Sequence, residues 1–112
     1  MVDVDTGKMF KAKMIGGYSH VDIEPVTASD TAVMKELFGS WKWSPRAAVI
    51  FIDGMNIAAS LSGMPHDVDT ISGNGVTGHF DLYLKNSSPH SGTTSADYIQ
   101  EHRNMAAKAA GQ

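Results

Sequence analysis

The most constraining stretch of the chain is Arg46-Ala-Ala-Val-Ile-Phe-Ile52, followed by Asp53-Gly54 and then Asn56-Ile-Ala-Ala-Ser-Leu61. An apolar, β-branched run this short reads as a buried strand. Asp-Gly is a preferred tight-turn pair between antiparallel strands. The second run is then the first one's hairpin partner. Any fold for this sequence has to be built around that hairpin.

The other elements follow from local chemistry. Met1-Val-Asp-Val-Asp5 and Lys8-Met-Phe-Lys-Ala-Lys-Met14 flank Thr6-Gly7 and read as an N-terminal β-hairpin. Tyr18 to Val26 is extended, because Pro25 lacks a backbone donor and disfavours helix at Glu24. Thr27 or Ser29 caps a helix whose apolar stripe is Val33, Met34, Leu37 and Phe38, and Gly39 stops it. Residues 62 to 77 contain glycines, a proline and no periodicity, so they form a long loop. Gly78 to Leu84 is another strand, and 87 to 94 is loop. Ser95 caps a last helix with Tyr98, His102, Met105 and Ala109 on its inner face. The expected architecture is α+β: a single domain over residues 1–112, with a mostly antiparallel sheet of about five strands and two helices.

Composition removes several function classes. There is no cysteine, so disulfides, thiolate metal sites and cysteine nucleophiles are all absent. Nine Lys and Arg against twelve Asp and Glu give a net charge of −3, which argues against a general nucleic-acid partner. No apolar run is long enough to span a membrane, so no membrane partner is expected. No signal peptide is visible, and the expected location is the cytoplasm.

Chemistry-bearing residues fall in three groups. Residues two apart on a strand share a face, which pairs His20 with Asp22, and His79 with Asp81 and Tyr83. Each pair would serve as two metal ligands or as an imidazole oriented by a carboxylate. His66 and His90 follow prolines in loops. The plain alternative is that these histidines are structural hydrogen-bonders. A zinc site of His20, His79 and one carboxylate is the less favoured reading, because no tight zinc spacing occurs. The second group, Trp41-Lys-Trp-Ser-Pro-Arg46, offers Trp41 and Trp43 as stacking faces and Arg46 as a phosphate clamp. Alternatively, one Trp fills the core and Arg46 caps a sheet edge. The third is Ser72-Gly-Asn-Gly-Val-Thr-Gly78, where amides near Gly73 and Gly75 would hold an anion.

The segments Val2–Gly7, Ser19-His-Val-Asp-Ile-Glu-Pro25, Asp30-Thr-Ala-Val-Met-Lys35, Ala58-Ala-Ser-Leu-Ser-Gly-Met-Pro-His66 and Gly78-His-Phe80 resemble an uncharacterised Firmicutes domain. That domain often stands beside peptidoglycan-binding modules. In many of its members the stretch matching Gly78–Leu84 reads Gly-His-Phe-Cys-Ile-His-Phe. With Met64-Pro-His66 upstream, this is similar at motif level to the His…Ser-His-Gly-Cys pattern of L,D-transpeptidases. The similarity implies that Asp81 stands at the nucleophile position, Tyr83 at a second histidine, and Asp67 where a glycine follows His66. A carboxylate cannot form the thioester, so transpeptidation is not expected.

Three functions are consistent with these residues. The first is a non-catalytic, small-molecule-binding protein without cofactor or bound metal, of the kind phages use to sequester a nucleotide immune signal. Trp41 or Trp43 would stack the base, Arg46, Gly73 and Gly75 would hold phosphate, and His20, Asp22, His66, His79 and Asp81 would take ribose hydroxyls or a cationic group. Tyr83 and His90 would complete the ligand-binding set. The second is a peptidoglycan hydrolase using a histidine-based or metal site. The third is an interaction module with an adaptable, methionine-rich surface. Open sheet edges and the alanine-rich end of the last helix favour a homo-oligomer.

Overall fold

A computed structural model describes residues 1–16, 20–84 and 96–111. Among the described residues the architecture is α+β: two helices on a six-stranded, entirely antiparallel, curled sheet. The elements are β1 (Val2–Asp3), β2 (Ala12–Gly16), β3 (Val21–Pro25), α1 (Ala28–Phe38), β4 (Lys42–Ile52), β5 (Met55–Gly63), β6 (Phe80–Leu84) and α2 (Ala96–Ala109). In space the strands run β1-β4-β5-β6-β3-β2. Neither helix is long and apolar enough to cross a membrane.

The central hairpin is β4–β5, in register from Arg46↔Leu61 to Ile52↔Met55. Asp53 and Gly54 both take left-handed backbone angles, φ 51° and 76°. Two successive positive φ values match the twist of the flanking strands, which is why Asp-Gly suits this turn. At its other end β4 begins earlier than expected, at Lys42, because a register irregularity between Lys42 and Arg46 accommodates Ser44-Pro45.

The expected N-terminal hairpin forms, but only as a short one: the Val2↔Met9 bridge, the Asp3 amide donating to the Lys8 carbonyl at 2.9 Å and the Gly7 amide donating to the Asp3 carbonyl at 2.8 Å join its arms, which then part to different sheet edges. β1 pairs with β4, and β2 pairs with β3 at the far edge of the sheet. The reason lies in Asp3. Its buried carboxylate takes the Arg46 guanidinium in two bonds of 2.7 and 3.0 Å, and also accepts from the amide and hydroxyl of Thr6. Bidentate pairing of this kind is strong and directional, and it fixes β1 against β4. The chain then crosses over Phe10, whose amide donates to the Met1 carbonyl, and this crossing links the two sheet edges.

α1 is capped as its sequence implies. The Thr27 hydroxyl accepts from the Asp30 amide, the Asp30 carboxylate accepts from the Thr27 amide, and Gly39 ends the helix at φ 76°. Period two then divides the sheet faces. One face carries Ile23, Ile50, Ala59, Leu61, Phe80 and Leu82, packed with Met34 and Phe38 of α1 and with Phe10. This is the hydrophobic core. The opposite face is polar. The registers Ala47↔Ser60↔Tyr83 and Asp22↔Asp81 place those residues together on it. α2 covers the β4–β5 part of this face with His102 and Ala106, both buried, and with half-buried Tyr98 and Met105. The His102 Nδ1 lies 2.6 Å from the buried Ser60 hydroxyl. Burial pushes the His102 imidazole down to about 4, so it stays neutral. The expected loop at 87–94, its His90 and the Ser95 cap lie outside the described residues.

The segment from Met64 to Gly78 is held down by polar bonds rather than by apolar burial. Glu24 on β3 is fully buried, and its carboxylate accepts from the Thr70 amide (2.7 Å), the Thr70 hydroxyl (2.6 Å) and the Ile71 amide (3.0 Å). The Asn74 side chain donates to the Pro25 carbonyl at 2.9 Å, and the Asp69 carboxylate accepts from the Gly78 amide at 3.1 Å. Burial pushes the Glu24 carboxyl up, but the hydrogen bonds outweigh it and the net shift is below the ordinary 4.5. A lowered carboxyl contributes stability above its unfolded value and loses it as pH falls through the folded value. Glu24→Gln is therefore expected to lower unfolding free energy by about 2 kcal/mol at pH 7, the scale of charged hydrogen bonds. Urea denaturation should show that gap closing below about pH 4.5. A gap that persists unchanged at pH 3 would contradict the assignment.

Candidate functional site

Four strands and α2 converge on the polar face. His20 precedes β3, and Asp22 lies on it. His79 precedes β6, and Asp81 and Tyr83 lie on it. His66 follows β5. Trp43 comes from the irregular start of β4, and Tyr98 from the first turns of α2. Together they line an open cleft of about 1300 Å³, whose wall also includes Asp67, Asp97 and Glu101.

Strand register makes the floor. Asp22 and Asp81 are Cα partners across β3 and β6, so their carboxylates stand side by side on one face. Like charges directly opposite each other destabilise a sheet unless something positive lies between them. The His20 Nε2 lies 3.0 Å from Asp22 Oδ1 and 3.2 Å from Asp81 Oδ1. Hydrogen bonding to Asp81 raises the His20 imidazole above its ordinary 6.5. Burial opposes this, and the charges of Asp81 and Asp22 add to it.

A backbone bridge supplies the other two imidazoles. His66 and His79 exchange both backbone hydrogen bonds, at 3.0 and 2.9 Å, and their rings lie 4.5 Å apart. The Nδ1 of His66 lies 2.7 Å from the Met64 carbonyl, and that of His79 lies 3.0 Å from the Val68 carbonyl. A carbonyl only accepts, so each Nδ1 carries its proton. Each Nε2 then points at a carboxylate: His66 to Asp81 Oδ1 at 3.1 Å, and His79 to Asp22 Oδ1 at 3.5 Å. Unless a proton or a cation lies between them, two lone pairs face each other. Committing Nδ1 to a carbonyl while Nε2 is left to coordinate is the usual second-shell support of a metal-ligating histidine.

The spacing of these atoms fits coordination. With metal bonds of about 2.1 Å, neighbouring ligand atoms lie about 3.0 Å apart in an octahedron and about 3.4 Å apart in a tetrahedron. The four contacts above span 3.0 to 3.5 Å. Asp22 Oδ1 is buried between the imidazoles of His20, at 3.0 Å, and His79, at 3.5 Å.

Two phenols complete the wall. The Tyr98 hydroxyl donates to Asp81 Oδ2 at 3.3 Å. Burial, then the charge of Asp81, pushes Tyr98 up, and burial with Asp81 and Asp22 pushes Tyr83 up to about 12. Both stay protonated at neutral pH. Asp81 itself is raised by burial, but His20, His66 and Tyr98 outweigh that and hold it below its ordinary value. The Trp43 indole stays 45% exposed, tilted over His66 at 4.8 Å and edge-on to Tyr98 at 5.9 Å.

Of the residues singled out in the sequence, His20, Asp22, Trp43, His66, His79, Asp81 and Tyr83 meet in this cleft. Four others do not. Trp41 packs on the core against Phe80 at 5.3 Å. With Gly73 and Gly75 it borders a separate hollow of about 600 Å³. Arg46 is engaged by Asp3 at the sheet edge. The stacking and phosphate-holding groups are thus not assembled around one ligand. His90 is outside the described residues. Sequence reasoning missed Asp67, Tyr98, Asp97 and Glu101. Tyr98 was readable only as a helix face, and Asp67 only as a substitution for glycine. Compared with known protein families, curated proteins and solved structures, the chain matches none.

Proposed function

We propose that the cleft binds a divalent transition metal and serves as the centre of a metal-dependent hydrolase acting on an amide or ester of a small substrate. The observation that carries this reading is the convergence of three imidazole Nε2 atoms on two carboxylate oxygens at 3.0–3.5 Å. Mixed imidazole and carboxylate ligation suits zinc, manganese or iron(II). A bound ion would lower the pKa of a coordinated water and polarise a carbonyl. The protein's own groups would do the rest. Tyr83 keeps its proton and can donate to an oxyanion, while the Tyr98 hydroxyl, which donates to Asp81, would hold that carboxylate in place. Trp43 offers an apolar wall to the substrate. The resemblance to a domain found beside peptidoglycan-binding modules supports a cell-wall peptide as the substrate class.

Charge also bears on the choice of ligand. Asp22, Asp67, Asp81, Asp97 and Glu101 line the cleft, with no Lys or Arg among the described lining residues. A polyanion would meet repulsion there unless metal ions screened it. The second reading, a small-molecule-binding protein without turnover, rests on the exposed Trp43 face and would take a neutral or cationic ligand more readily than a nucleotide.

The test is metal-reconstituted protein incubated with muropeptides and simple peptide amides, with products read by mass spectrometry. Cleavage that stops on chelation and returns with zinc or manganese is the expected result. Ligand retention without cleavage would favour the second reading. Cleavage untouched by chelation would overturn the metal mechanism.

A further inference from the structure

The ligand atoms of the cleft fall into two sets rather than one. His20, Asp22 and Asp81 each offer one atom, all within 4.8 Å of one another, and His66, Asp67 and His79 do the same. An ion with bonds of about 2.1 Å gathers ligand atoms up to about 4.2 Å apart across its centre, so small side-chain movements let each set close on its own ion.

The sets are joined through their carboxylates. Asp81 Oδ1 lies 3.2 Å from His20 Nε2 in one set and 3.1 Å from His66 Nε2 in the other. Asp22 Oδ1 lies 3.0 Å from His20 Nε2 and 3.5 Å from His79 Nε2. Each carboxylate therefore touches an imidazole of both sets, which is where a bridging ligand between two ions belongs. Paired hydrolytic ions sit about 3.5–4 Å apart, a span one carboxylate can bridge. Charge agrees. Asp22, Asp67 and Asp81 carry three negative charges, so one divalent ion leaves the centre negative. Two ions sharing a hydroxide bring it to neutrality.

We propose that the cleft is a two-metal centre. One ion sits on His20, Asp22 and Asp81, the other on His66, Asp67 and His79, and Asp22 and Asp81 bridge them. The inference rests on the metal reading above and adds the ion count, the role of Asp67 and the bridge. Asp67 is exposed and holds a left-handed φ of 54°, so it contributes little to packing, and asparagine tolerates the same backbone. Asp67→Asn is therefore a substitution that leaves the fold intact.

The experiment is equilibrium dialysis of the full chain against Mn(II), with bound metal measured by elemental analysis and electron paramagnetic resonance. The wild type is expected to hold two ions per chain and to show a magnetically coupled pair. Asp67→Asn is expected to hold one, with a single-ion hyperfine pattern and an unchanged circular dichroism spectrum. One ion per wild-type chain, or two in Asp67→Asn, would overturn the two-metal centre and leave the single-ion reading standing. No retained ion would overturn both.

Discussion

Gly78→Ala is expected to lower the unfolding free energy by about 3–5 kcal/mol, a size seen only when backbone strain and a steric clash combine. Gly78 holds φ at 110°, outside the range that side-chain-bearing residues adopt without strain. A Cβ there would lie 2.7 Å from the His66 amide nitrogen and 2.9 Å from its carbonyl oxygen. Both atoms are backbone, so no side chain can swing away. Those same groups make the two hydrogen bonds to His79 that set the pair of imidazoles side by side. The chain must therefore give up either its stability or its His66–His79 bridge. Chemical denaturation measures the first, and metal titration of the surviving folded protein measures the second. A variant as stable as the wild type, with full metal affinity, would mean that Gly78 does not approach His66 this closely.

Asp81→Asn is expected to act mainly on the chemistry. The amide nearly matches the carboxylate in shape but gives up its charged contacts, so a metal-free variant is expected to lose about 2 kcal/mol, less than Gly78→Ala. Asp81 carries the charge that faces His20 and His66, and its other oxygen accepts from Tyr98. Changing a partner that only supports a ligand already costs about 10–100-fold in metal affinity. Loss of a direct, bridging carboxylate should exceed about 100-fold. Calorimetric titration with zinc, alongside thermal denaturation of the metal-free protein, separates the two effects. A large stability loss with unchanged zinc affinity would make Asp81 a packing residue instead.

The elements set by local chemistry were legible in the sequence. Asp53-Gly54 declared its hairpin, Thr27 and Gly39 bounded α1, and apolar periodicity placed α2. Non-local pairing was not legible. Nothing near Val2 indicates that Arg46, through Asp3, also ties it to β4, or that the second arm of its hairpin leaves to pair with β3. The same division runs through the site. Side-chain alternation pairs His20 with Asp22 and His79 with Asp81, because that needs only period two. That Asp22 lies directly opposite Asp81 depends on β3 pairing with β6 across most of the chain. No local signal specifies that register. Trp41 and Arg46 follow the second of the two readings their motif offered: the core took the indole and a buried aspartate at the sheet edge took the guanidinium. Both outcomes satisfy burial and charge pairing more completely than solvent exposure would.

The carboxylate at position 81 carries the proposed chemistry: an aspartate ringed by imidazoles is suited to holding a cation. Titration of the metal-free 112-residue chain with zinc in a calorimeter tests that claim most directly. Saturable binding with a dissociation constant at or below about 1 μM, equivalent to about −8 kcal/mol, is the expected result, with the heat abolished in Asp81→Asn. No saturable heat up to about 1 mM zinc, or equal heat in the two proteins, would contradict it.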